Sequence, residues 1–346
     1  MQLNDFSYFL PDDLIAQHPR HQRDASRMML LHRDTRTTAD HHFSSLPEHL
    51  QQGDVLVVND SRVIPARIYG KKPTGGLLEI LLLTCKEKTA GQELWEVLAR
   101  PAKRLKENDV IDLGHSCEAR VIARLSDKKW LMAMSAENGF NNYLERFGRA
   151  PLPPYIKRRR SMTPDQTDDR DRYQTVYAKT AGSIAAPTAG LHFSSEILNA
   201  LRTQGIRIAP ITLHVGIGTF LPIETQTIED HVMETEFYEI TAEAADTINS
   251  ARRVIAVGTT STRTLESVAD KDGYIRPESG ETRLFIYPGY SFKRVNGLLT
   301  NFHLPRSSLF LLVSAFAGAD FIRKAYAEAV EKRYFFYSYG DCMLIL

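Results

Sequence analysis

The sequence predicts an α/β protein interrupted by an all-β module. Three observations carry this reading. From residue 62 to residue 135, roughly six short apolar runs follow one another with turn residues between them. From Tyr173 onward, apolar strands alternate with capped helical segments. Between the two, Pro151, Pro153 and Pro154 end the β module, and the charge-dense stretch from Lys157 to Arg172 reads as an exposed connection.

The elements follow in order. Asp12–Gln17 has room for one or two helical turns, Met28–His32 reads as a strand, and Phe43–Gln52 as a short helix ended by Gly53. Val55–Val58 is a continuous branched run, the mark of a strand buried on both faces. Strands are then expected at Val63–Tyr69, Leu77–Thr84, Leu94–Arg100, Asp109–Leu113, Glu118–Leu125 and Trp130–Met134. Gly75-Gly76, Gly91, Asn108-Asp109, Gly114 and Ser126-Asp127 separate them, which suits a compact antiparallel barrel or sandwich. In the α/β part Ser194 caps a helix through Arg202, with Glu196 in its first turn and Gly205 as its stop. Ile206–Val215 follows as a strand, with Ile211, Leu213 and Val215 on one face and Thr212 and His214 on the other. Thr241 caps a helix through Ala251, Val254–Val257 is a strand turned by Gly258, and a helix continues from about Thr262. Leu284–Tyr287 reads as a strand, and Ser307–Phe316 and Asp320–Lys332 as helices. Such alternation predicts a mainly parallel, layered sheet.

Composition bounds the function classes. The 346 residues are 43% hydrophobic and 25% charged, enough for a core that needs neither disulfides nor metal. The formal net charge of +1 argues against a globally basic nucleic-acid coat, though not against a local basic patch. Cys85, Cys117 and Cys342 are widely spaced, with no paired motif for zinc or a disulfide frame, and fit a reducing cytosol. The first residues, with Asp5, Asp12 and Asp13, lack the basic region of a secretory signal. The longest apolar stretch, Leu309–Val313 continuing through Ala315–Ala317, falls short of a membrane span and reads as a buried helix.

Five polar segments, all but 300–305 bearing glycine, sit where strands or helices end: 185–193, 213–220, 257–263, 300–305 and 338–341. The third, Val257-Gly258-Thr259-Thr260-Ser261-Thr262-Arg263, is a strand–turn–helix junction. Its free N–H groups and hydroxyls suit a carboxylate, phosphate or ribose, or else simply cap the helix. Gly216-Ile217-Gly218 lacks the third glycine of a dinucleotide loop, and a turn needing positive φ explains it better. His192, His214 and His303 each lie on such a turn, as structural residues or as acid–base groups. Glu229, Asp230, His231, Glu234 and Glu236 read mainly as a solvated acidic turn, and His41, His42 and His49 lack a second cluster that would argue for metal. Lys157-Arg158-Arg159-Arg160 either holds RNA phosphates or is a linker neutralised by the aspartates after it. Lys71-Lys72 and Lys103-Arg104 add positive charge to the β module.

Taken together, the set resembles the S-adenosylmethionine:tRNA ribosyltransferase-isomerase family of queuosine biosynthesis. The likeness runs essentially full length, through Ser26-Arg27, Gly53 to Arg67, Thr74-Gly75-Gly76, Tyr173 to Tyr177 and the five segments. It implies an α/β/α catalytic domain (residues 1–60 and 152–346) with an inserted, roughly six-stranded antiparallel β-barrel (residues 61–151). It also implies transfer and isomerisation of the ribosyl part of S-adenosylmethionine onto 7-aminomethyl-7-deazaguanine at the tRNA wobble position, with adenine and methionine leaving. The expected partners are that tRNA and S-adenosylmethionine, consumed as co-substrate, with no cofactor, metal or membrane. A cytoplasmic monomer is the default. Three positions depart from the family pattern: Glu234 stands for a histidine, Asn296 for an aspartate, and Phe335 for an arginine before Phe336-Tyr337-Ser338-Tyr339-Gly340-Asp341.

The implied reaction needs a base for a C5′ hydrogen beside the sulfonium, a proton for departing adenine, and acidic groups to orient amines. His192 or His214 is the expected proton-transfer group, with His303 a further candidate, and Glu236 and Asp341 are expected at ammonium groups. Thr188, Gly190, Gly216, Gly218, Thr219, Gly258, Thr259, Thr260 and Arg263 are the expected contacts to S-adenosylmethionine. Two rivals remain at this point: a methyltransferase, which would release S-adenosylhomocysteine instead of adenine, and a non-catalytic RNA-binding protein built on the barrel.

Overall fold

The computed structural model describes residues 1–89, 91–158, 169–220 and 222–346, with only the backbone at positions 219 and 220. The chain divides into two compact units. One comprises Met1–Arg62, Pro154–Ile156 and Gln174–Leu346; the other comprises Val63–Pro153 and Lys157–Tyr173.

The first unit is built on a nine-stranded sheet. Its spatial order is Glu278–Thr282, Glu236–Ile240, Arg207–Leu213, Asp54–Asn59, Arg253–Val257, Gly297–Asn301, Cys342–Ile345, Arg27–His32 and Thr37–His42. The run of branched residues predicted to be buried on both faces is so. Val55 and Val57 enter one apolar cluster with Ala256, Leu298 and the helices Ala242–Asn249, Ser308–Ala317 and Ala319–Glu331. Leu56 and Val58 enter another with Ile255, Val257, Leu299 and the helix Ser195–Thr203. Side chains alternate across a strand, so a strand with helices on both sides must be apolar at every position. This is the α/β/α layering.

The sheet is mixed, not mainly parallel. Arg207–Leu213, Asp54–Asn59, Arg253–Val257 and Gly297–Asn301 pair parallel with their neighbours. Cys342–Ile345 runs antiparallel to Gly297–Asn301. Two successive helices, Ser308–Ala317 and Ala319–Glu331, separate these strands, and the second brings the chain back to the end it left. Leu284–Tyr287 is not a strand; the polar Glu278–Thr282 beside it forms the sheet edge instead. The helix expected from about Thr262 already begins at Gly258.

The second unit contains a closed six-stranded antiparallel barrel: Lys129–Ala136, Glu93–Arg100, Leu77–Lys88, Arg67–Lys71, Val110–Gly114 and Cys117–Arg124. Alternation fills it. Ile80, Leu82, Val97, Ile111, Val121, Met132 and Met134 are buried, while Glu96, Glu118, Arg120 and Ile122 between them are more exposed. Arg158, from the basic run, is tied to Asp169 by two hydrogen bonds of 2.7 and 3.0 Å. Arg159 and Arg160 of that run lie outside the described residues.

Candidate functional site

The four mutually parallel strands end at one edge of the sheet, and the chain leaving each must turn there. Open α/β sheets bind ligands at that edge. A cavity of about 520 Å³ lies in the first unit, lined by Val215, Gly258, Thr259, Thr260 and the turn from Thr300 to Ser307. Ala186, Pro187, Thr188 and Ala189 also line it, as do Tyr155, Tyr337 and Ser338. All five polar segments singled out in the sequence therefore contribute to one cavity.

Two features set its electrostatics. The helix Gly258–Val268 opens with Gly258, Thr259 and Thr260 in the wall, and Ser307, the cap of Ser308–Ala317, lies there too. Helix starts present unpaired N–H groups and a partial positive charge. Gly258 has φ of +87°, which lets the strand turn straight into the helix. Among the described lining residues there is no carboxylate; Arg306, exposed, is the one formal charge.

His303 lines the cavity. Its Nε2 lies 2.9 Å from Thr300 Oγ1, its backbone N–H donates to the Tyr326 hydroxyl at 3.1 Å, and its carbonyl accepts from the Tyr8 hydroxyl. Burial pushes its pKa down to about 3, so the ring is neutral. His192 is not in the cavity wall. Its Nε2 is 3.2 Å from Asn301 Oδ1, and Asn301 Nδ2 donates to the Tyr337 carbonyl at 2.8 Å. Nε2 must therefore carry the proton, and Nδ1 accepts from Ser26 Oγ at 3.0 Å. Burial lowers its pKa to about 4, opposed by the charge of Asp341. Asn301, which His192 holds, does line the cavity.

His214 lies apart from the cavity. It shares the strand face of Thr212, as the alternation predicts: Thr212 donates to Asp60 at 2.7 Å, and His214 Nδ1 lies 2.8 Å from Ser61 Oγ. Its ring stacks on Phe237, and burial lowers its pKa. Neighbouring Val215, on the opposite face, reaches the cavity.

The two carboxylates expected at ammonium groups are occupied. Glu236 is buried, accepts from the Gly216 N–H at 3.0 Å, and pairs with Arg263, which also donates to the Leu284 carbonyl. Asp341, fully buried, accepts from Arg20 and from the backbone N–H groups of Arg27 and Phe335, each at 2.8 Å. Among the expected ligand contacts, Thr188, Gly258, Thr259 and Thr260 face the cavity. Gly190 faces inward instead: a Cβ there would collide with the Tyr177 hydroxyl. Gly216 packs toward Glu236 and Gly218 toward Glu234. Thr219 belongs to the turn Ile217–Phe220, with its side chain outside the description. Tyr155, Tyr337 and Arg306 also line the cavity, though none was expected to contact the ligand.

Across residues 3–345 the chain matches the family described as queuosine biosynthesis protein. It belongs to this family. The family's S-adenosylmethionine:tRNA ribosyltransferase-isomerase from Syntrophus aciditrophicus is 53% identical over the whole of both chains. The enzyme of the same name from Natranaerobius thermophilus is 48% identical over all of this chain and 99% of its own length. A crystal structure of S-adenosylmethionine tRNA ribosyltransferase from Thermotoga maritima matches with a TM-score of 0.54 at 36% identity, covering 99% of this chain and 100% of the other. Among the described residues, no helix is long and apolar enough to cross a membrane.

Proposed function

We propose that the chain is an S-adenosylmethionine:tRNA ribosyltransferase-isomerase acting in the cytoplasm. It transfers and isomerises the ribosyl moiety of S-adenosylmethionine onto 7-aminomethyl-7-deazaguanine at the tRNA wobble position, giving epoxyqueuosine-tRNA and releasing adenine and methionine. The observation that carries this reading is the convergence of the five turn segments on one cavity at the carboxyl ends of parallel strands. Its volume falls in the range, roughly 300–1,000 Å³, that takes a small molecule. S-adenosylmethionine is a co-substrate, and no further cofactor is invoked.

The geometry redistributes the roles. His303, neutral and in the wall, is the histidine we assign to proton transfer. His192 positions Asn301, and His214 holds Ser61. Glu236 and Asp341 brace the loops around the cavity through Arg263 and Arg20. Thr188, Gly258, Thr259 and Thr260 supply hydroxyls and N–H groups to the ligand's polar parts.

The test is incubation with tRNA carrying the aminomethyl base and S-adenosylmethionine labelled separately in ribosyl and methyl carbons. Ribosyl label should enter tRNA with release of free adenine. Methyl label in tRNA, or S-adenosylhomocysteine as product, would overturn the reading.

A further inference from the structure

S-adenosylmethionine carries a permanent positive charge on sulfur, yet the described residues lining the cavity include no carboxylate to meet it. The buried carboxylates of the turns around it, Glu236 and Asp341, are engaged by Arg263 and Arg20. What the lining offers instead is a pair of aromatic rings. The rings of Tyr155 and Tyr337 lie 4.1 Å apart between centroids at 42°. Both line the cavity.

The pair is held in place from several directions. The Tyr155 hydroxyl is 2.6 Å from Ser338 Oγ, and its carbonyl accepts from Gln17. Tyr337 has φ of +73°, a conformation that a bulky residue adopts only when its surroundings impose it. Here the restraints are its N–H donated to the Phe302 carbonyl and its carbonyl receiving Asn301 Nδ2. Helix starts and Arg306, of the opposite character, line the same cavity.

Resting on the activity proposed above, we infer that Tyr155 and Tyr337 form the sulfonium subsite, binding the cationic sulfur by its attraction to their π faces. The methionine carboxylate then lies toward the helix starts. The cavity thereby separates the ligand's charges without a buried anion. An anion beside the sulfonium would stabilise the positive ground state that the reaction must discharge, whereas a ring face holds it more weakly.

The experiment compares affinities of S-adenosylmethionine and of S-adenosylhomocysteine, its neutral thioether counterpart, by calorimetry on the full chain. Removing a ring should cost the cation more than the thioether. Tyr337→Leu and Tyr155→Leu should each lower the ratio of the two affinities by about threefold to thirtyfold, the range expected of a cation–π contact. Tyr337→Phe and Tyr155→Phe, which keep the rings, should leave the ratio within about twofold of the original chain's value. Tyr155 is the more exposed of the two, so its variants give the answer if Tyr337→Leu fails to fold. A ratio unchanged in the leucine variants, or equal losses for both ligands, would overturn the subsite while leaving the proposed activity standing. Absence of S-adenosylmethionine binding in the unmodified chain would instead sink the activity, and the subsite with it.

Discussion

Acidification from pH 7 to pH 5 should destabilise this protein through two particular histidines. Burial holds His192 at about 4 and His303 at about 3, against an ordinary value of 6.5. A group whose folded pKa is depressed is neutral in the fold but takes up a proton on unfolding below its ordinary value. Its contribution is therefore fully present above pH 6.5 and is lost as pH falls toward the folded pKa. At pH 5 the unfolded imidazole is almost wholly protonated and the folded one almost wholly neutral. The loss between pH 7 and pH 5 is then about 2 kcal/mol for each ring, or about 4 kcal/mol for both. Urea titrations at the two pH values measure it. Changing either histidine to Gln lowers stability at pH 7, because Gln replaces only part of the hydrogen bonding, but it should remove about 2 kcal/mol of the pH-dependent difference. The reasoning fails if His192→Gln and His303→Gln both retain the original difference, since the protons would then be taken up elsewhere.

Two further outcomes follow from packing. Gly190→Ala should cost about 3 kcal/mol in urea, because the new methyl collides with the buried Tyr177 hydroxyl and presses on the Thr175 methyl. Asp341→Ala should cost about the same by leaving the N–H groups of Arg27 and Phe335 without an acceptor, and should depress S-adenosylmethionine binding as the turn carrying Tyr337 and Ser338 loosens; calorimetry beside the urea curve reads both effects.

The fold was legible where the physics is local. Ser194, Thr241 and Ser307 cap helices through hydroxyls that accept from the third residue on, a pattern any sequence exposes. Val55–Val58 announced a strand covered on both faces, since no polar residue interrupts it. The edges were not legible. Thr37–His42 is polar and half-exposed, and is a strand only because Arg27–His32 pairs with it. Leu284–Tyr287 is apolar because it packs on the core, not because it pairs. In the site, polar residues at strand ends were visible as a class. Which way each faced was not. Gly190 signals a close approach, but the approaching group is Tyr177 rather than a ligand. Tyr155 meets Ser338 across 183 positions, and no local pattern encodes such a meeting.

The place of Cys342–Ile345 in the sheet, between Gly297–Asn301 and Arg27–His32, bears on how the chain is made. The hairpin Arg27–His42 joins the sheet only through that late strand, and the bond from the Arg27 N–H to Asp341 spans 314 positions. At ribosomal speeds of about 5–20 residues per second, the hairpin emerges roughly a quarter of a minute to a minute before its partner exists. During that interval Met28, Met29, Leu30 and Leu31, all buried in the finished protein, have no sheet to join. A nascent chain stalled short of residue 342 would therefore display an apolar strand with an open edge, the kind of surface that chaperones hold and that neighbouring chains aggregate upon.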